Sequence, residues 1–383
     1  MSDPAALAVY VHWPYCSRIC PYCDFNVVRD RGRADEQAAL ARAIEADLAS
    51  QAERIGPRRL VSVFFGGGTP SLMDPEAAGR IGEAARRLFP STGHVEVTLE
   101  ANPTDAEAAR FRAFADAGVD RLSLGIQSLD DDQLRFLGRN HSAAEARRAA
   151  ETAAACFPRL SVDMIYARPG QTVADWADEL NAALALGPEH VSPYQLTIEQ
   201  GTAFARAVER GQWTPPDGDT AADLWDATQE TLEAAGFEAY EVSNHARGEA
   251  ARSVHNLEIW RGAEYVGVGP GAHGRLALGG GRTATRAARG IGDYIARVGA
   301  TGVGWDETEA LSPLAAAEER LLLGLRITEG VPLADVDVLN LDPTSPRVLV
   351  LVEAGLIDID ATRIRATPAG RLVLDRLLAE LIA

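Results

Sequence analysis

Three cysteines lie within eight residues, in the segment CSRICPYC, and place Cys16, Cys20 and Cys23 in a CxxxCxxC arrangement. The segment follows a short apolar run, AVYVH at residues 8–12, so the thiols sit in the loop after a first strand. Thiolates are soft ligands suited to zinc or to iron–sulfur clusters. Structural zinc takes four protein ligands, and here the fourth would come from His12, Asp24 or a remote residue. A [4Fe-4S] cluster held by three cysteines instead leaves one iron open to a small molecule, which is what a reactive centre requires. Cys156 follows TAAA on an apolar helical face and reads as a core residue.

A second group of residues is spread along the chain. GGGTP supplies Gly66, Gly67, Gly68, Thr69 and Pro70, where backbone can approach a ligand without a Cβ in the way. It is neither a Walker loop nor a GxGxxG fingerprint, and taken alone it is a strand-to-helix turn. Glu100 and Gln127 close apolar runs, Asp163 lies within another, and Arg139 follows in a helical region. Together they put polar side chains on one rim of an apolar barrel, where a nucleoside and a carboxylate need partners. Further on, HNLEIW contains His255, Asn256 and Trp260. Neutral imidazole is a common ligand of heme iron, so His255 is the first heme-ligand candidate, with Trp260 available to pack on a porphyrin face. His273, in GAHG, is the rival ligand.

These residues need a scaffold. From residue 8 to 197 the chain alternates apolar β-branched runs with helical patterns, the signature of βαβ units and a parallel sheet. Strands are expected at 8–12, 60–65, 94–100, 121–126, 160–166 and 190–197. Asp74 before Pro75, and capping boxes Thr104 with Glu107 and Ser142 with Glu145, mark helix starts; Gly118 and Gly187 mark stops. Six right-handed βα units predict a partial (β/α)6 barrel with its chemistry at the C-terminal strand ends, a flat doubly wound sheet being the competitor. Beyond residue 198 glycine becomes frequent, in GVGPGAHG and ALGGGR, and backbone there is expected to approach something closely. From Ser312 a helical tail with a hairpin at 356–366 and a last helix from near Pro368 reads as a small winged-helix-like domain. The expected division is 1–236, 237–310 and 311–383.

Composition bounds the function. Of 383 residues, 46% are hydrophobic and 24% charged, which excludes disordered, collagenous and disulfide-miniprotein classes. With 37 basic and 55 acidic residues the net charge is −18, which repels nucleic acid and anionic lipid. No apolar run is long enough to span a membrane, the N-terminus has no export pattern, and the cysteines are too clustered for a disulfide framework. A cytoplasmic protein with reduced thiols is expected.

The CxxxCxxC motif after the first strand resembles the radical S-adenosylmethionine (SAM) superfamily, whose cluster chelates SAM through its open iron and cleaves it to a 5′-deoxyadenosyl radical. The stretches LEANP (99–103), LGIQS (124–128), GRNH (138–141) and DMIYARPGQ (163–171) are similar to the anaerobic coproporphyrinogen oxidase group over the whole chain. The resemblance implies that Cys16, Cys20 and Cys23 hold the [4Fe-4S] cluster. It implies SAM contacts from Tyr10, Tyr22, Gly67, Gly68, Thr69, Glu100, Gln127, Arg139 and Asp163. Ala167 and Arg168 stand where the group commonly has Gly and Leu. Phe25 replaces the further cysteine of the oxidase itself, and only fifteen residues precede Cys16. Both features, with an HNxxYW-like box carrying Ile259 in place of Tyr, resemble the heme chaperone branch. That resemblance implies heme as cargo, its delivery to an acceptor such as a respiratory protein with transient membrane-protein contact, and a homodimer. Oxygen-independent decarboxylation of coproporphyrinogen III is the alternative.

Overall fold

The computed structural model describes residues 4–105 and 108–382. Its six first long strands are β1 (Ala6–Trp13), β2 (Arg59–Gly67), β3 (Glu96–Ala101), β4 (Arg121–Gln127), β5 (Arg159–Tyr166) and β6 (His190–Gln195). They pair in parallel in that order, each followed by helical chain. The expected strands are therefore all present, with ends moved by up to a few residues. His94, assigned to the third strand, lies outside it as an exposed partner of Asp120.

Helix starts follow local chemistry. Asp74 accepts from Glu76 N ahead of the helix Pro75–Leu88, and Ser142 with Glu145 forms a complete capping box for Ala143–Cys156. Glu107 of the other expected box lies outside the described residues. Cys156 is half-buried against the core and is not enclosed by it.

The sheet does not stop at six strands. Residues 238–310 add β7 (Glu238–Glu241), β8 (Asn244–Ala246), β9 (Glu264–Val268), β10 (His273–Leu278), β11 (Gly281–Ala287) and β12 (Trp305–Ala310) to the same twelve-stranded sheet. Its order is β12-β11-β10-β9-β1-β2-β3-β4-β5-β6-β8-β7. β9 joins β1 in parallel, giving seven parallel strands, and the outer strands are antiparallel. The region expected to loosen is thus ordered sheet. Its glycines bring strands together: a Cβ on Gly267 would lie 1.9 Å from His273 O, and one on Gly269 2.3 Å from His12 O.

The main core fills the space between this sheet and its helices, from Leu7, Val9 and Val11 to Trp176 and Tyr294. A separate core of Leu321, Val348, Ile364, Leu377 and their neighbours supports the C-terminal domain. There the expected hairpin forms from Ile357–Ile359 and Arg363–Ala366, with Val331–Pro332 as third strand, and the last helical stretch is broken at Val373. Among the described residues no helix is long and apolar enough to cross a membrane.

Candidate functional site

The cysteine loop leaves β1 at Pro14 and is tied down at both ends. Tyr15–Cys16 pairs with Val28–Arg29, Gly68 N donates to Trp13 O at 2.7 Å, and Thr69 N donates to Tyr15 O at 2.8 Å. A Cβ on Gly68 would meet Tyr15 O at 2.7 Å and Trp13 O at 2.8 Å, so only glycine lets the two loops touch. Pro21 packs on Gly138, whose φ of +69° and 2.5 Å clearance to Pro21 Cδ again require glycine. The next three residues fasten the loop to β4: Arg139 donates to Cys20 Sγ at 3.4 Å and Gly125 O at 3.0 Å, Asn140 to Ser17 Oγ at 3.3 Å, and His141 pairs with Ile126 O at 3.0 Å.

Burial pushes the Cys16 thiol up to about 11 and raises Cys23 as well, the neighbouring cysteines adding to both. Cys16 and Cys23 are therefore neutral near pH 7, and binding a cationic centre there releases protons. Among the described residues no three His, Cys, Asp or Glu side chains are already drawn together around a single ion. His12 is not free as a fourth ligand: its Nδ1 pairs with Tyr10 OH at 3.0 Å and its Nε2 with Asn26 O at 2.8 Å.

The rim residues fall into a connected arc. Glu100 accepts from Gly67 N at 3.2 Å. Burial, with Asp163 adding to it, raises the Glu100 carboxyl to about 8, and burial raises Asp163 to about 6, where Ser123 donates to it at 3.1 Å. Two carboxyls that resist ionisation together form a site ready for a cation or a hydroxyl. Gln127 holds a left-handed φ of 67°, and its Oε1 is buried without a partner, as is Arg139 Nε. Buried polar atoms left unpaired call for a hydrogen-bonding ligand. This donor and acceptor set fits SAM, and the three thiols beside it fit a [4Fe-4S] cluster. Tyr22 stands against Cys20 and Arg139, its hydroxyl pushed up by burial, and packs on Phe204.

Arg168 turns out to be structural. It is 2% exposed and donates to Ser128 Oγ at 2.6 Å and to Glu179, which also accepts from Leu129 N at 2.8 Å. The clamp fixes the loop that follows Gln127. Ala167 beside it adopts φ 59°, a conformation that suits the glycine commonly found there.

A cavity of about 590 Å³ opens beside this arc, lined by Tyr10 and Glu100 from the rim, by His255, Asn256, Ile259 and Trp260 from the HNLEIW helix, and by Phe25, Phe64, His273, Arg286 and Arg289 among others. It unites Tyr10, Glu100, His255 and His273, while the cysteines, Tyr22, Gly67, Gly68, Thr69, Gln127, Arg139 and Asp163 lie outside its lining. His255 is 3% exposed, stacks on Phe64 with ring centroids 4.8 Å apart, and pairs through Nδ1 with Ser62 Oγ at 2.9 Å. Its Nε2 has no hydrogen bond among the described residues, and burial lowers its pKa to about 4, so the ring is neutral. His273 is exposed on β10. One face of Trp260 is covered by Arg326, 4.6 Å from the ring centroid.

Sequence reasoning missed Glu96. Wholly buried on β3, it accepts from Val254 N at 3.1 Å and His255 N at 3.0 Å and pairs with Arg159 at 2.6 Å. Although desolvation opposes it, Arg121 and Arg159 hold this carboxyl below the ordinary range. Glu96 anchors the helix Val254–Trp260 and so aims His255. The only signal in the sequence is a lone acid between Val95 and Val97.

Comparison with known proteins agrees with this architecture. The radical SAM superfamily model matches residues 10–183, and the HemN C-terminal domain model matches residues 311–373. A cattle protein named radical S-adenosyl methionine domain-containing protein 1, mitochondrial, is 40% identical over 98% of this chain and 87% of its own length. Proteins named heme chaperone HemW are 35% identical in Mycobacterium tuberculosis, over 98% of this chain and 94% of theirs, and 32% in Bacillus subtilis, over 96% of each. The solved structure of Escherichia coli coproporphyrinogen III oxidase (HemN) superposes with a TM-score of 0.82 at 20% identity, covering 99% of this chain and 91% of that one, and so shares the fold.

Proposed function

Because the chain belongs to the radical SAM superfamily, in the coproporphyrinogen III oxidase-like group close to the heme chaperone HemW, we propose that it binds heme and passes it to an acceptor protein. The observation that carries this reading is the cavity in which His255, neutral and held at Nδ1 by Ser62, keeps Nε2 unengaged. An imidazole fixed at one nitrogen is oriented to ligate iron through the other. The HemW relatives are named heme chaperones, which supports heme as cargo.

In this reading Cys16, Cys20 and Cys23 hold a [4Fe-4S] cluster, and Tyr10, Tyr22, Gly67, Gly68, Thr69, Glu100, Gln127, Arg139 and Asp163 hold SAM. The bound pair supplies one-electron cleavage of SAM to a carbon radical. The chain's own part is to position: the glycines admit the ligand to the backbone, Gln127 and Arg139 offer unpaired polar atoms, and Arg168 braces Gln127. Residues 1–236 serve as the cofactor core and 237–310 as the heme-box region, a functional boundary that the continuous sheet crosses. Residues 311–383 form the C-terminal unit, a division supported by the domain match at 311–373. Respiratory proteins are the first acceptors to test, with transient contact at a membrane protein and homodimer formation belonging to the same reading. A reducing compartment, the cytoplasm, suits four cysteines that are free of disulfides.

Decarboxylation of coproporphyrinogen III is the second reading, favoured by one observation: the SAM candidates Tyr10 and Glu100 line the same cavity as His255. Phe25 in the position of the oxidase's further cysteine opposes it. The test uses anaerobically reconstituted protein with SAM, a reductant and coproporphyrinogen III, alongside a heme titration of the wild type and His255→Ala. The expected result is heme binding that weakens in the variant and no protoporphyrinogen. Product at the rate of an authentic oxidase overturns the chaperone reading.

A further inference from the structure

The cavity lining is chemically mixed. Phe64, His255, Ile259 and Trp260 supply aromatic and apolar surface. Arg286 and Arg289 supply positive charge, and Asp24 and Glu100 supply carboxyls. Arg286 is already paired with Asp306 and Glu307, but Arg289 has no carboxylate partner among the described residues.

Arg289 is also held in place. Its Nε lies 3.4 Å from Asn26 Oδ1, and its backbone carbonyl accepts from Asn26 Nδ2 at 2.9 Å, which leaves both terminal nitrogens of the guanidinium for something else. Asn26 is itself fixed by Pro270 O at 2.9 Å and by its own carbonyl's bond to His12. Gly271 permits this, since a Cβ there would meet Asn26 Nδ2 at 2.7 Å. An exposed guanidinium with no carboxylate partner among the described residues, braced from behind, is placed to fork a carboxylate, a local attraction that works against the net charge of −18. Two acids line the same cavity, Glu100, whose carboxyl burial raises to about 8, and Asp24, so Arg289 and Arg286 are the groups there that attract a carboxylate.

We propose that Arg289 binds a propionate carboxylate of the porphyrin and thereby fixes the macrocycle's orientation, carboxylate edge toward Arg289 and ring toward His255 and Trp260. The inference rests on the heme reading and names the group that recognises the cargo's charge. Arg286, tied to Asp306 and Glu307, backs the field without being free to fork a carboxylate.

The test titrates the full chain with ferric heme and with heme dimethyl ester, whose propionates are capped, and follows the Soret band. Arg289 is exposed, so solvent weakens the pair, and the wild type is expected to prefer the diacid by about fivefold. Arg289→Ala is expected to abolish that preference, bringing diacid and diester to within about 1.5-fold, while its affinity for the diester stays near the wild-type value. Arg289→Lys, which keeps the charge and loses the fork, is expected to recover part of the preference, a response that a merely structural role would not give. An Arg289→Ala preference equal to the wild type's overturns the assignment while leaving heme binding standing. Failure of the wild type to bind either porphyrin overturns the heme reading and this inference together.

Discussion

Glu96→Gln tests whether the heme-box helix is aimed by a carboxylate on the sheet. The carboxylate is fully buried and serves two backbone N–H groups at the start of the helix as well as Arg159, itself 15% exposed. Removing one member of a buried pair costs about 3–5 kcal/mol. The isosteric amide keeps one acceptor oxygen, so about 2–3 kcal/mol is the expected loss. At about 2 °C per kcal/mol for a unit of this size, the unfolding midpoint falls by about 4–6 °C. If about half the loss is felt as misplacement of His255, heme affinity falls about tenfold. Thermal unfolding and Soret titration of the same preparation read both numbers. The double variant Glu96→Leu with Arg159→Met is expected to recover only part of the midpoint, because Val254 and His255 N–H still lack their acceptor, and to leave heme affinity low. A Glu96→Gln midpoint within about 1 °C of the wild type, with unchanged heme affinity, refutes Glu96 as the anchor of His255.

Gly68→Ala sets a Cβ 2.7 Å from Tyr15 O, which backbone cannot relieve, and is expected to cost about 1–3 kcal/mol and to lower iron and sulfide content after anaerobic reconstitution. Arg168→Leu restores the side chain common in the group but leaves Glu179, 9% exposed, without its cation. A loss of about 3–5 kcal/mol is expected, partly recovered by adding Glu179→Gln, with weaker SAM binding by calorimetry as the loop after Gln127 loosens. Asp47, buried and bonded to Gln51 and Tyr294, has its pKa raised by burial, those hydrogen bonds partly opposing the shift. A raised folded pKa gives stability that is present below the unfolded value and lost as pH rises through the folded one. Wild-type stability is therefore expected to fall as pH rises through the Asp47 pKa, and Asp47→Asn, which cannot ionise, to lack that contribution to the slope; denaturant unfolding of both proteins across that range checks the sign.

Local chemistry was enough to read the six parallel strands, the helix caps at Asp74 and Ser142, and the hairpin of the tail, because alternation and capping depend on residues a few positions apart. The cysteine spacing and the glycines of GGGTP were legible for the same reason: thiol geometry and the absence of a Cβ are properties of short segments. What could not be read was pairing across long separations. The β9 strand, EYVGV, carries nothing to say that it lies parallel beside β1, more than two hundred residues away, and without that pairing residues 264–310 look like loose, glycine-rich chain. The cavity is a product of that closure, since Asn26 and Arg289 meet only when both strands are in place. Glu96 shows the same limit from inside the sheet. Sequence marks His255 as chemistry, but the acid that aims it is a lone charge in an apolar strand, and only tertiary packing brings its carboxylate to the first N–H groups of the helix.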